Sequence, residues 1–128
     1  MSPEHDRALC EAFPRLYRER HASVMESSMG WGFLCGDGWF EIVWELSRAV
    51  SEHAARVGLD PVVRSVKEKF GELRVSVEGG DEEIERLVVE AGERSRGRCG
   101  ECGGSYRVAE GTSAPPLRPG GRCHCGHP

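Results

Sequence analysis

Cys99 and Cys102, in "CGECGG", are separated by two residues, and Cys123 and Cys125 follow in "RCHCGHP" after a gap of twenty. A two-residue gap lets one tight turn aim both sulfurs at a single ion, and the second pair completes a tetrahedral thiolate site. His124 and His127 add spare imidazoles, and His127 is the substitute for Cys125 as fourth ligand. Soft sulfur donors select zinc over magnesium or calcium. An iron–sulfur cluster is the other metal reading. Without a metal, four thiols in a glycine- and arginine-rich stretch would be exposed to oxidation.

Four protein ligands close a zinc ion, whereas catalysis needs a position left open for water. The stretch between the cysteine pairs, "GSYRVAEGTSAPPLRPGG", is too rich in glycine and proline to build a core, so the expected metal is structural and orders the tail. No histidine-x-glutamate of the deaminase type precedes the cysteines, and Glu101 reads as a solvated turn residue.

Other chemical candidates are weaker. Cys10 and Cys35 are lone thiols among apolar neighbours and read as small buried hydrophobes. "CGDGWF" has no flanking strand and no GK[ST], so it is no phosphate loop. His5, His21 and His53 are scattered, with His53 beside an apolar helical stripe, where a satisfied core histidine is the common case. No nucleophile, base and orienting group can be placed together, so no catalytic residue and no enzyme activity are expected. Trp31, Trp39 and Trp44 favour packing around a small core, with an exposed aromatic anchor for a partner, Trp31 and Trp39 foremost, as the alternative.

Composition bounds the rest. The chain of 128 residues has 38% hydrophobic residues, a formal charge of −4 and mean hydropathy of −0.47. That suits one domain, or one small domain with a metal-stapled appendage. The N-terminal "MSPEHDRALCEAFPRLYRER" is charged throughout and lacks a signal-peptide core, so a cytoplasmic protein with reduced cysteines is expected. Charge is uneven: six acids against Arg86 give residues 81 to 93 a net −5, while six arginines against Glu101 and Glu110 give residues 94 to 128 a net +4. An acidic helix face followed by a solvated basic tail accounts for both.

The elements that must position the cysteines follow from pattern and punctuation. Ser2 caps a first helix with Pro3 at its first position, and Pro14 interrupts it, leaving Phe13, Leu16 and Tyr17 as apolar contacts. Asp37 is expected to cap a second helix whose face is Val43, Leu46, Val50, Ala54 and Val57, widened by Phe40 and Ile42, with Gly58 as its stop. Pro61 to Val66 and Leu73 to Val77 read as a hairpin, reversing at the charged cluster Lys67–Glu68–Lys69 with Gly71 in the turn and Phe70 folded onto the core. Asp81 caps a last helix in which Ile84, Leu87, Val88 and Ala91 recur at helical spacing. The expected fold is α+β: a small helix, β-hairpin, helix core with a C-terminal zinc-ribbon-like or knuckle-like metal site. Its divisions are an N-terminal helical segment (1–28), the α+β core (29–97) and a zinc-binding tail (98–128).

The ordered runs "GFLCGDGWFEIVWELS", "VKEKFGELRVSVEGGDEEIERLVVEAGERS" and "CGECG" resemble a family of short, largely uncharacterised proteins of bacteria and their phages. The resemblance covers roughly residues 29 to 125. It implies a cytoplasmic protein, often carried on mobile elements, with a paired-cysteine ending and no assigned activity. Members of that family end in a cysteine followed about three positions later by a cysteine or histidine, a pattern from which "RCHCGHP" departs.

Two functional classes are consistent with these residues. One is a protein-interaction module whose zinc-ordered tail or aromatic turn docks on a protein, as a regulator or a phage-borne antagonist of a host system. The other binds nucleic acid through Arg64, Lys67, Lys69 and Arg74 of the hairpin with Arg94, Arg96, Arg98 and Arg122 near the metal. Net acidity favours the first.

Overall fold

The computed structural model describes residues 1–21 and 28–100, without the side chains of Ser28 and Trp31. The chain runs through α1 (Pro3–Ala12), β1 (Phe33–Leu34), α2 (Phe40–Val57), β2 (Val62–Lys69), β3 (Glu72–Glu78) and α3 (Glu82–Ser95), with short 3-10 turns at Ser28–Trp31 and Asp37–Trp39. The fold is α+β.

Local signals set most helix ends. The Ser2 hydroxyl accepts from the His5 N–H at 3.3 Å, and Pro3 follows at the position where a missing N–H costs nothing. Asp81 does the same for α3, accepting from the Ile84 N–H at 3.0 Å. Gly58 closes α2, donating its N–H to the Ala54 carbonyl at 2.9 Å. The start of α2 departs from expectation. Asp37 lies in the preceding 3-10 turn, Trp39 is the N-cap residue without a side-chain cap, and α2 opens at Phe40. The Asp37 carboxylate instead accepts from the Ser2 N–H at 2.6 Å and hydrogen-bonds His5 Nδ1 at 2.9 Å, so a contact distant in sequence has claimed the local cap.

The sheet has the order β1-β2-β3, with β1 parallel and β3 antiparallel to β2. The β2–β3 register pairs Val66 with Val75, Lys67 with Arg74, and Lys69 with Glu72, so Phe70 and Gly71 alone form the reversal. Both have positive φ, 55° and 78°, as a type I′ turn demands. Two expectations are thereby corrected. Lys67, Glu68 and Lys69 lie within β2 rather than in the turn, and Phe70 is 84% exposed rather than folded onto the core. Residue parity explains both: the core face carries Val66 and Leu73, and the two-residue turn leaves Phe70 beyond the end of the sheet.

Val63, Val66 and Leu73 join Val43, Leu46, Val50, Ile84 and Ala91 in one core, which also takes in Leu9, Leu16 and Tyr17 from the N-terminal segment. The α2 stripe is buried from Ile42 to Ala54, but Val57 stands half exposed at the last turn. Ser47 and Ser95 are the buried polar side chains among the described residues, and both are satisfied. Ser47 Oγ lies 2.7 Å from the Val43 carbonyl and 2.5 Å from the Tyr17 hydroxyl. Ser95 Oγ accepts from the Leu73 N–H at 2.8 Å and donates to the Gly92 carbonyl at 2.6 Å, tying α3 to the β3 edge. Helix and strand meet so closely there that a β-carbon on Gly92 would lie 3.2 Å from the Leu73 carbonyl oxygen.

Candidate functional site

Cys99, the first of the expected metal ligands, is fully buried. Its neighbours are held from two sides by the 3-10 turn of "CGDGW". The Trp39 indole N–H donates to the Arg98 carbonyl at 3.1 Å, and the Gly38 N–H donates to the Gly100 carbonyl at 2.8 Å. Arg98 also reaches Glu41 at 3.3 Å. The chain therefore leaves α3 on a track fixed by a segment some sixty residues earlier, and Cys99 is seated before the tail begins. Cys102, Cys123, Cys125 and His127 lie outside the described residues. No three metal-ligating side chains converge among the described residues, so the described part of the expected zinc site is Cys99 alone. A thiol held on a rigid root suits a soft tetrahedral ion.

The residues expected to face a partner separate. Trp39 is 1% exposed and serves as the clasp on Arg98, so it packs in the core and the alternative role as a surface anchor is excluded for it. The side chain of Trp31 lies outside the described residues. Lys67, Lys69 and Arg74 are all exposed, and the register places them on one face of the sheet, opposite the core. Leu34 pairs with Lys67, which pairs with Arg74, making one row across the three strands. Leu34 is exposed, and Phe70 stands at the end of the hairpin with Lys69 Nζ 5.7 Å from its ring centroid. Sequence reasoning missed Leu34, because a two-residue parallel strand leaves no periodic signal.

Most other arginines of the expected basic surface are paired with acids. Arg94 meets Glu45 at 2.9 Å and Arg98 meets Glu41. Arg64 meets Glu19 at 3.1 Å and Glu78 at 3.6 Å, and Arg74 itself meets Glu72 at 2.7 Å. Arg122 lies outside the described residues.

The histidines and remaining thiols have structural surroundings. His53 Nε2 lies 2.8 Å from Asp81 Oδ2 and so links α2 to the cap of α3. That bond, with the Ile84 N–H, holds the Asp81 carboxyl below its ordinary value. His5 stacks on Phe40 with ring centroids 3.9 Å apart. Burial raises the Cys10 and Cys35 thiols to about 11, and the neighbouring Asp6 carboxylate adds to the shift at Cys10. Both are protonated, and hence weak nucleophiles, near neutral pH.

Comparison with protein-family models, with curated proteins and with solved structures gives no match. Among the described residues, no helix is long and apolar enough to cross a membrane.

Proposed function

We propose that this protein is a zinc-binding protein-interaction module. Its helix–sheet platform seats Cys99, and zinc held by Cys99, Cys102, Cys123 and either Cys125 or His127 orders the C-terminal segment. Four protein ligands make the metal a structural crosslink. The open sheet face, with Leu34, Lys67, Lys69, Arg74 and the protruding Phe70, meets the partner. The module acts as a regulator or as a phage-borne antagonist of a host system, and its partner is a host protein.

The observation that carries this reading is Phe70, 84% exposed on a backbone with φ of 55°. A bulky side chain at positive φ is a genuine outlier, and backbone outliers cluster where binding uses them. Burying that ring in a partner's pocket is worth roughly 1.5–3 kcal/mol, which a free hairpin forgoes.

A second reading has its own support: an exposed aromatic beside Lys69 is also a stacking platform for an unpaired base. The acid partners of Arg64, Arg74, Arg94 and Arg98 weigh against it, because each must be displaced before its arginine can neutralise a phosphate. Affinity capture from bacterial lysate, with and without nuclease and with and without chelator, tests the choice. A protein retained through nuclease and lost on chelation supports the module. A nuclease-sensitive complex whose affinity falls with salt at a log–log slope near −3.6, about four phosphate contacts, overturns it.

A further inference from the structure

The β3 edge is closed at one end and open along the rest. In a hairpin with a two-residue turn, Lys69 pairs with Glu72 through hydrogen bonds, so the ladder bonds also join Lys67 to Arg74 and Ser65 to Ser76. Leu73, Val75 and Val77 must then turn their N–H and C=O groups away from β2. Two contacts agree with that parity: the Leu73 N–H donates outward to Ser95 Oγ, and the Val63 N–H, opposite Val77, donates away from β3 to the Leu16 carbonyl. Leu73 is thus covered by the end of α3. By the same parity Val75 and Val77 turn their peptide groups outward along the edge. Beside that edge runs a groove of about 610 Å³, walled on the helix side by Val88, Val89, Gly92 and Arg96.

We propose that this groove binds an extended, carboxylate-bearing segment of a partner protein, which adds to the sheet as a fourth strand beside β3. The proposal rests on the interaction-module reading and names the chemistry and seat of its partner. Peptide groups of an edge strand are best satisfied by another extended backbone, which is how strand addition obtains its affinity. Alternate side chains of the added strand would face Val89, itself 58% exposed, while the others reach the open sheet face. Charge selects the acid: Arg74 and Glu72 pair with each other, which leaves Lys67 and Arg96 against Glu93 along the groove. Neither Lys67 nor Arg96 has a carboxylate partner among the described residues.

The test uses the full zinc-loaded chain and a display library of short peptides. The selected peptides should be rich in aspartate and glutamate, and their binding should slow amide exchange at Val75 and Val77. Val89→Asp combined with Arg96→Glu, both at exposed positions, should weaken them by about tenfold or more. N-methylation of alternate peptide residues should abolish binding in one parity and spare it in the other. Binders that ignore the double variant and leave Val75 and Val77 exchange unchanged would place the partner elsewhere and overturn this seat, while leaving the module reading intact. A library that yields no binder overturns the groove as well. So does a concentration-dependent dimer abolished by the double variant, which would assign the edge to a second copy of the chain. Failure of the module reading is registered separately, by the nuclease-sensitive capture described above.

Discussion

Replacing Phe70 by asparagine should stabilise the folded chain, although it deletes a large apolar side chain. Phe70 sits at φ 55° in a two-residue turn whose other member, Gly71, sits at 78°. For an L-residue the left-handed region costs roughly 1–2 kcal/mol, and asparagine, whose short polar side chain bonds locally, escapes part of that cost. Asn-Gly is also the preferred sequence for this turn. Against the gain stands the Lys69 contact with the ring, worth about 0.5 kcal/mol at an exposed site. The loss of burial is small, because the ring is 84% exposed. The balance is a gain of about 0.5–1 kcal/mol, or roughly 2–4 °C in the midpoint of thermal unfolding for a domain of this size.

Calorimetry or circular dichroism on Phe70→Asn, beside Leu73→Ala as control, measures it. Leu73 is 2% exposed in the same hairpin and should lose about 3 kcal/mol on truncation. If Phe70→Asn instead destabilises by 1 kcal/mol or more, the ring packs against something in the folded chain and the turn geometry argued above is wrong. If it stabilises the fold and also removes partner binding, the strained, exposed ring is a contact residue.

Further outcomes follow from the same geometry. Elemental analysis of the purified chain should give about one zinc per molecule, and Cys99→Ser should abolish it while the far-ultraviolet dichroism of the helix–sheet platform is kept. Native protein should label slowly at Cys10 and Cys35 near neutral pH, because burial holds both thiols at about 11; fast labelling there, without unfolding, would contradict that burial. The Asp81 carboxyl is depressed below its ordinary 3.8 by the His53 bond, so its contribution is present above that value and lost as pH falls through the lower folded one. Asp81→Asn, which keeps a capping oxygen but cannot titrate, should therefore flatten the acid limb of the stability curve.

What the sequence made legible was what neighbours in the chain decide. Ser2, Gly58 and Asp81 work within one helical turn of themselves, and their roles could be read from residue type alone. The α2 and α3 stripes could be read because a period of 3.6 recurs over several turns. Asp37 was misread for the opposite reason: its partners, Ser2 and His5, lie more than thirty residues away, and nothing local announces that they compete for its carboxylate. Phe70 misled through hydrophobicity, which speaks for burial. Register overrode it, since Val66 opposite Val75 and Lys69 opposite Glu72 leave two residues for the reversal and no path back to the core. Of the candidate site, the cysteine spacing was legible, and so were the cations of the sheet face. Their row with Leu34 was not, because it depends on a parallel pairing of two residues.

The "CGDGW" run, which superficially resembles a ligand loop, acts as a clasp. Asp37 holds the first turn of α1, while Gly38 and Trp39 hold the backbone on either side of Cys99. On the proposed zinc site, a ligand whose flanking backbone is fixed in advance loses less freedom on coordination, so the clasp should raise metal affinity. Trp39→Phe tests this without touching a ligand: it keeps most of the buried ring but removes the indole N–H that reaches the Arg98 carbonyl at 3.1 Å. Zinc affinity, measured by competition with a chromophoric chelator, should fall. Stability of the metal-free platform should fall by about 1 kcal/mol, the net value of one hydrogen bond. An unchanged zinc affinity alongside that stability loss would mean that the clasp serves the fold alone and that the metal orders the tail independently of where the platform seats Cys99.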